Sequence, residues 1–288
     1  MRRRRREEQH REPTDHPGYR ETERENLMEI AEHITTVQRE ARLFAEAARA
    51  GGLEADIAGC PGWNMRDLVR HLSEIHLWAA GVISQRATKL FPDDISEHTE
   101  TWPELAVFWP DDGDLVDWYL ETNANLVHCL EDASPNDEIP YFLKAPSPLA
   151  MWARRQAHEI AMHRWDAESA SGDPSGFDPI LAADGIDETV DAYATRADEF
   201  PTMSTWTMAV HAVDTGDRWR LTVTPTGITT VRGDGPTDVT LSGSASNLHL
   251  VLWNRTKDST ITVDGDRELL DSWHTNVKRR WPFTTHYS

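Results

Sequence analysis

Glu159 and His163, four residues apart in the run "RRQAHEIAMHRWDAES", are the side chains in this sequence best spaced to do chemistry together. In an α-helix, positions i and i+4 lie about 40° apart on one face, so a single metal ion can touch both. Arg155 and Asp166 share that stripe, and a solvated face laced with i,i+4 ion pairs would carry the same residues. Spacing alone leaves both readings open, with Arg155 and Asp166 read first as surface charges. The arithmetic does exclude a zinc-protease motif. In "HEIAMH" the two histidines are five apart, or about 140° around the helix, so His158 and His163 cannot share a metal from one helix. Glu159 is then a ligand candidate and not a protease base.

A third candidate ligand comes from "CPGWNMRDLVRHLSEIHLWAAGVIS". There His71 lies within roughly 60° of Leu68, Ile75, Trp78 and Val82, in the middle of an apolar stripe. The competing reading is a core histidine bonded to a neighbour. His76 falls about 140° from His71 and reads as a surface residue. Together His71, Glu159 and His163 have the composition of a catalytic zinc centre, two histidines and a glutamate with one position left open. Other nucleophiles are less well placed. Cys60 sits in a Pro-Gly turn with no basic residue set beside it by sequence, Cys129 reads as packing, and His211 and Asp214 read as strand and turn residues. There is no GxSxG elbow and no glycine-rich phosphate loop.

The elements that must position these residues follow from periodicity. Leu27, Ile30, Ile34, Val37, Ala41 and Phe44 recur at helical spacing until Gly51 and Gly52. A second helix is predicted to begin at Met65, with Asn64 as N-cap and Asp67 at the third position. After a loop rich in Pro, Asp and Trp, "DGDLVDWYLETNANLVHCLED" gives a third helix, and "SPLAMWARRQAHEIAMHRWDAESASG" a fourth, stopped by Gly172 and Pro174. Four amphipathic helices in succession imply an antiparallel bundle. Beyond a further helical segment, "LAADGIDETVDAYATRADEF", short β-rich runs are broken by TG and GDG turns, and two helical stretches flank "STITVDGD". The expected organisation is a disordered extension over 1–26, a helical bundle domain over 27–200 and a small α+β domain over 203–285, with Met28 as an alternative start.

Charge and composition exclude several partners. The 288 residues carry 49 Asp and Glu against 29 Lys and Arg, a net charge of -20, which repels nucleic acid and anionic membranes. No apolar run reaches the ~18 residues of a membrane span, and the arginine cluster at the start is not followed by a signal-type apolar segment. A cytoplasmic, monomeric protein is expected. With only two cysteines and no CxxC spacing, a metal would be held by His and carboxylate.

"CPGWNMRDLVRHL", "RRQAHEIAMHRWDAE", "AADGIDE", "VTLSGSASNLHLVLWNR" and "VDGDRELLDSW" resemble the actinobacterial mycothiol-dependent maleylpyruvate isomerase-like proteins, relatives of the DinB-like metal-binding bundles, over about residues 28–285. The resemblance implies a DinB-like four-helix bundle followed by a sterol-carrier-like α+β domain, with one zinc ion held by His71, Glu159 and His163. It further implies mycothiol as cofactor or co-substrate, and an arginine of the C-terminal domain near the substrate, for which Arg255 in "LWNR" is the candidate. Two functions are carried forward: a zinc enzyme using a small thiol to isomerise, or transfer the thiol to, an electrophilic small molecule, and a non-catalytic metal-dependent ligand-binding or regulatory protein.

Overall fold

A computed structural model of the chain describes residues 28–90, 109–197 and 199–277. The extension expected over 1–26 lies outside the described residues. Four long helices open the fold: α1 (Ile30–Gly51), α2 (Met65–Ser84), α3 (Leu115–Asp132) and α4 (Pro148–Ser171). Their ends follow local chemistry. Asn64 caps α2 by accepting from the Asp67 N–H, and Asp67 accepts in return from the Asn64 N–H, both at 3.1 Å. Ser147 caps α4, with Pro148 at its first position, where a missing N–H costs nothing. Gly172 ends α4 at φ 105°, a left-handed conformation that favours glycine.

Helix α1 packs along α4 and α3, and α2 along α3. Their buried faces make one apolar core, which includes Phe44, Leu68, Leu72, Tyr119, Leu126 and Trp152. Next comes α5 (Pro179–Asp187), continuing through a π-helical turn (Glu188–Tyr193) into a 3₁₀ turn (Ala194–Arg196). The remaining part is a five-stranded sheet of β1 (Trp206–Ala212), β2 (Arg218–Thr224), β3 (Gly227–Arg232), β4 (Val239–Gly243) and β5 (Thr262–Gly265), with helices α6 (Ala245–Leu252) and α7 (Arg267–Asn276). The strand order is β3-β2-β1-β4-β5, antiparallel throughout except for the parallel β1–β4 pair that α6 does not bridge but follows. A second apolar core joins the buried residues of the sheet to α5, α6 and α7. The all-helical first part and the α+β second part are the architecture expected. No helix among the described residues is long and apolar enough to cross a membrane.

The two cores share α4. Trp152, Ala153 and Ala157 belong to the first, while Ala161 and Met162 belong to the second. A helix covered from both sides has almost no wet face. This overturns the reading of Arg155 and Asp166 as surface charges, for both are buried, and so is Arg164. His76, expected at the surface, is buried too. The packing of α3 covers that side of α2, and His76 Nδ1 meets the Thr122 hydroxyl at 3.2 Å.

Candidate metal centre

Helices α2 and α4 bring His71, Glu159 and His163 together. One ligating atom from each lies within 4.8 Å of the others. Glu159 Oε1 is 3.2 Å from His71 Nε2 and 3.4 Å from His163 Nε2, so both rings turn the same nitrogen toward one carboxylate oxygen. The rings meet edge to face at 5.3 Å between centroids, and the Trp63 ring packs against His71 at 4.9 Å.

The groups behind the trio fix its orientation. Asp166 Oδ2 accepts from His163 Nδ1 at 2.9 Å; a carboxylate can only accept, so the proton sits on Nδ1 and Nε2 is left to face the other two residues. The guanidinium of Arg255, in the loop after α6, grips the same carboxylate through Nε at 2.7 Å and Nη2 at 2.9 Å. Gly59 makes this possible: a Cβ there would collide with Asp166 Oδ1 and stand 2.8 Å from Arg255 Nε. On the other side Arg155 donates to Glu159 Oε2 and, at 2.5 Å, to Glu188 of the π-turn, while its guanidinium lies over the rings of Tyr193 and Trp253 at 5.3 and 5.5 Å.

These contacts set the charges. Burial acts to raise the Glu159 pKa, but Arg155, His163 and His71 outweigh it and hold the carboxyl well below the usual carboxylate range. Burial pushes His71 down, whereas for His163 the burial effect is outweighed by Asp166, Cys60 and Glu159, which hold it well above an ordinary histidine. An anionic carboxylate facing two imidazoles suits a divalent cation, which would take the place of the extra His163 proton because a ligating imidazole must be neutral. The donor set, two nitrogens and one oxygen with bonded outer partners, fits zinc.

The trio opens into a cleft of about 1100 Å³ lined by Trp63, Ile75, Trp78, Leu90 and Phe142 on one flank and by Cys60, Trp253, Asn254, Arg255 and His274 among others. Arg255, the candidate that the resemblance implied, lines this cleft. Cys60 is less isolated than its Pro-Gly turn suggested. Its Sγ is 3.8 Å from both Asp166 Oδ2 and Arg255 Nη2, because the loop before α2 folds back against α4.

His158 faces away, as the helical angle requires. With His33 and Arg154 it converges on Oδ1 of Asp184 at 2.6, 3.1 and 2.8 Å, forming a separate buried junction between α1, α4 and α5. Asp184, Asp187 and Glu188 all come from "AADGIDE". That stretch carried three acids inside an apolar run, and this was the signal that they answer the arginines of α4. Sequence reasoning assigned no role to Glu188, Tyr193 or Trp253, whose proximity to the centre depends on how the second core docks on α4.

Comparison with known proteins bears on this geometry. Residues 34–168 match the family model of the mycothiol maleylpyruvate isomerase N-terminal domain, and residues 181–272 that of the C-terminal domain of the same family. Two solved structures, a mycothiol-dependent maleylpyruvate isomerase and a mutant of it, align over 82% of this chain and 93% of theirs. The TM-scores are 0.55 and 0.56, at 12% and 11% identity, respectively. At that identity the likeness is one of fold. No curated protein matches the chain by sequence.

Proposed function

Since the chain belongs to the mycothiol maleylpyruvate isomerase family through both of its parts, we propose that the cleft is the active site of a metal- and thiol-dependent enzyme acting on an electrophilic small molecule. The metal is zinc, held by His71, Glu159 and His163, and the thiol is mycothiol. The observation that carries this is the convergence of three ligating atoms within 4.8 Å at a cleft wide enough for a thiol and a substrate. The reaction is cis/trans isomerisation of an unsaturated acid, or transfer of the thiol to it. Bound at the trio, zinc would supply a Lewis acid that favours the thiolate at neutral pH, and so a nucleophile for the electrophilic carbon.

The chain's own residues do the rest. Asp166 keeps the proton on His163 Nδ1, so that Nε2 stays a donor to the metal. Arg155 holds one oxygen of Glu159, leaving Oε1 toward the two imidazoles. Trp63, Trp78 and Phe142 narrow the cleft with apolar surface, which excludes water and strengthens every charge interaction inside it. Arg255 acts from the cleft wall, giving hydrogen bonds to the substrate while it anchors Asp166.

Metal analysis and a thiol-dependence assay test the reading together. The purified protein should carry about one zinc per chain, lost in His71→Ala and His163→Ala. A chelator should lower the melting point of the parent protein and leave those variants unchanged. Turnover of a cis-unsaturated acid should saturate with added thiol and persist in Cys60→Ser and Cys129→Ser. Turnover without thiol would sink the mechanism. Bound metal with no turnover under any thiol would favour a ligand-binding protein.

A further inference from the structure

Three arginines line the cleft, and their charges are not equally available. Arg155 is buried and spends its guanidinium on Glu159 and Glu188, and Arg255 spends two nitrogens on the two oxygens of Asp166. Both charges are balanced inside the protein. Arg196, which closes the 3₁₀ turn after the π-helical segment, is exposed at the cleft and has no carboxylate within ion-pairing distance among the described residues. Its guanidinium lies over the Phe142 ring at 5.8 Å from the centroid. Phe142 in turn stacks on Trp78, with centroids 6.0 Å apart and planes inclined by 30°.

Trp78 follows His71 by seven residues on the same helix, which puts it about 10 Å further along the axis, with Ile75 between them on the cleft wall. The cleft therefore runs from the ligand trio along an aromatic wall to a cation that no carboxylate answers among the described residues. We propose that Arg196 is the anchor for an anionic group of the substrate, and that the substrate class is a planar unsaturated acid with an aryl-sized body, larger than a four-carbon acid. The body lies against Trp78 and Phe142, the carboxylate reaches Arg196, and the electrophilic end points to the trio. Guanidinium and carboxylate match as a two-pronged pair, and a conjugated body gains from burying its apolar surface against the cleft wall. The proposal rests on the functional reading above for the identity of the cleft, but the binding it predicts does not need the metal.

Calorimetric titration with two probes of one shape, trans-cinnamate and the neutral cinnamamide, separates the anchor from the metal. The protein as purified should bind the acid about tenfold more tightly than the amide, which corresponds to one charge-assisted contact of about 1.4 kcal/mol. That preference should vanish in Arg196→Met, survive largely in Arg196→Lys and be unchanged by a chelator. Arg196 is exposed and forms no ion pair among the described residues, so its variants should melt with the parent. A preference that survives Arg196→Met, or failure to bind either probe, overturns the proposal. If the preference survives Arg196→Met but disappears with chelator, the carboxylate sits on the metal, and the metal reading stands while the anchor falls. A preference lost in Arg196→Met in protein that carries no metal supports the anchor and refutes the metal reading.

Discussion

Asp166→Asn probes the centre without touching a ligand. The substitution keeps the volume and removes the charge at a fully buried side chain that receives four hydrogen bonds, one from His163 at 2.9 Å, two from Arg255 at 2.7 and 2.9 Å and a long one from the Cys60 thiol at 3.8 Å. An amide offers one carbonyl oxygen. Its NH₂ must then face either the His163 Nδ1–H or the Arg255 guanidinium, donor against donor. Arg255, with a side chain only 12% exposed, loses its counter-charge. Breaking a buried pair in this way costs about 3–5 kcal/mol. At about 2–4 °C per kcal/mol for a chain of this size, the melting midpoint should fall by roughly 6–20 °C. Loss of the partner that orients a metal-ligating histidine should also weaken zinc binding ~10–100-fold, measured by competition with a chromophoric chelator. Asp117→Asn, which removes the exposed partner of Arg49, is the control and should change stability by less than about 1 kcal/mol and leave metal affinity unchanged. An Asp166→Asn protein with parental midpoint and parental zinc affinity would refute the chain of support from Arg255 through Asp166 to His163.

Gly59→Ala should damage the same support from the opposite side, because a methyl there meets Asp166 and Arg255; a loss of about 1–3 kcal/mol with weakened zinc binding is expected, and unchanged values would mean that the loop yields freely. His158→Ala should cost about 1–3 kcal/mol in a denaturant titration by leaving the Asp184 junction a bond short, yet metal content should equal that of the parent; equal loss of metal would overturn the separation of the two faces of α4. Burial drives the His76 imidazole down to about 3, so the folded protein resists a proton that the unfolded chain accepts near pH 6.5. Its contribution is therefore complete above that pH and is lost, at up to about 1.4 kcal/mol per pH unit, as the pH falls from 6.5 toward 3. His76→Phe should flatten the stability profile over that window, and parallel profiles would show that His76 takes up its proton inside the fold.

Much of this architecture follows from local rules. Asn64 and Asp67 start α2, Ser147 and Pro148 start α4, and Gly172 ends it, because capping depends on residues within one turn of each other. The helical repeat likewise puts Glu159 and His163 on one face and His158 on another, and it points His71 inward with Leu68 and Ile75. What lay beyond local rules is which faces the rest of the chain covers. Arg155 and Asp166 look like a solvated stripe until a second core docks on α4 and supplies Glu188 and Arg255 as partners from 33 and 89 residues away. His76 looks exposed until α3 packs over it. Cys60 looks inert until its turn folds against His163 and Arg255. That Arg196 alone of the three cleft arginines meets no carboxylate among the described residues is visible only in the fold. Helical angles are set by backbone geometry within a few residues, whereas burial and charge balance are sums over neighbours distant in the chain, and only the tertiary structure determines those sums.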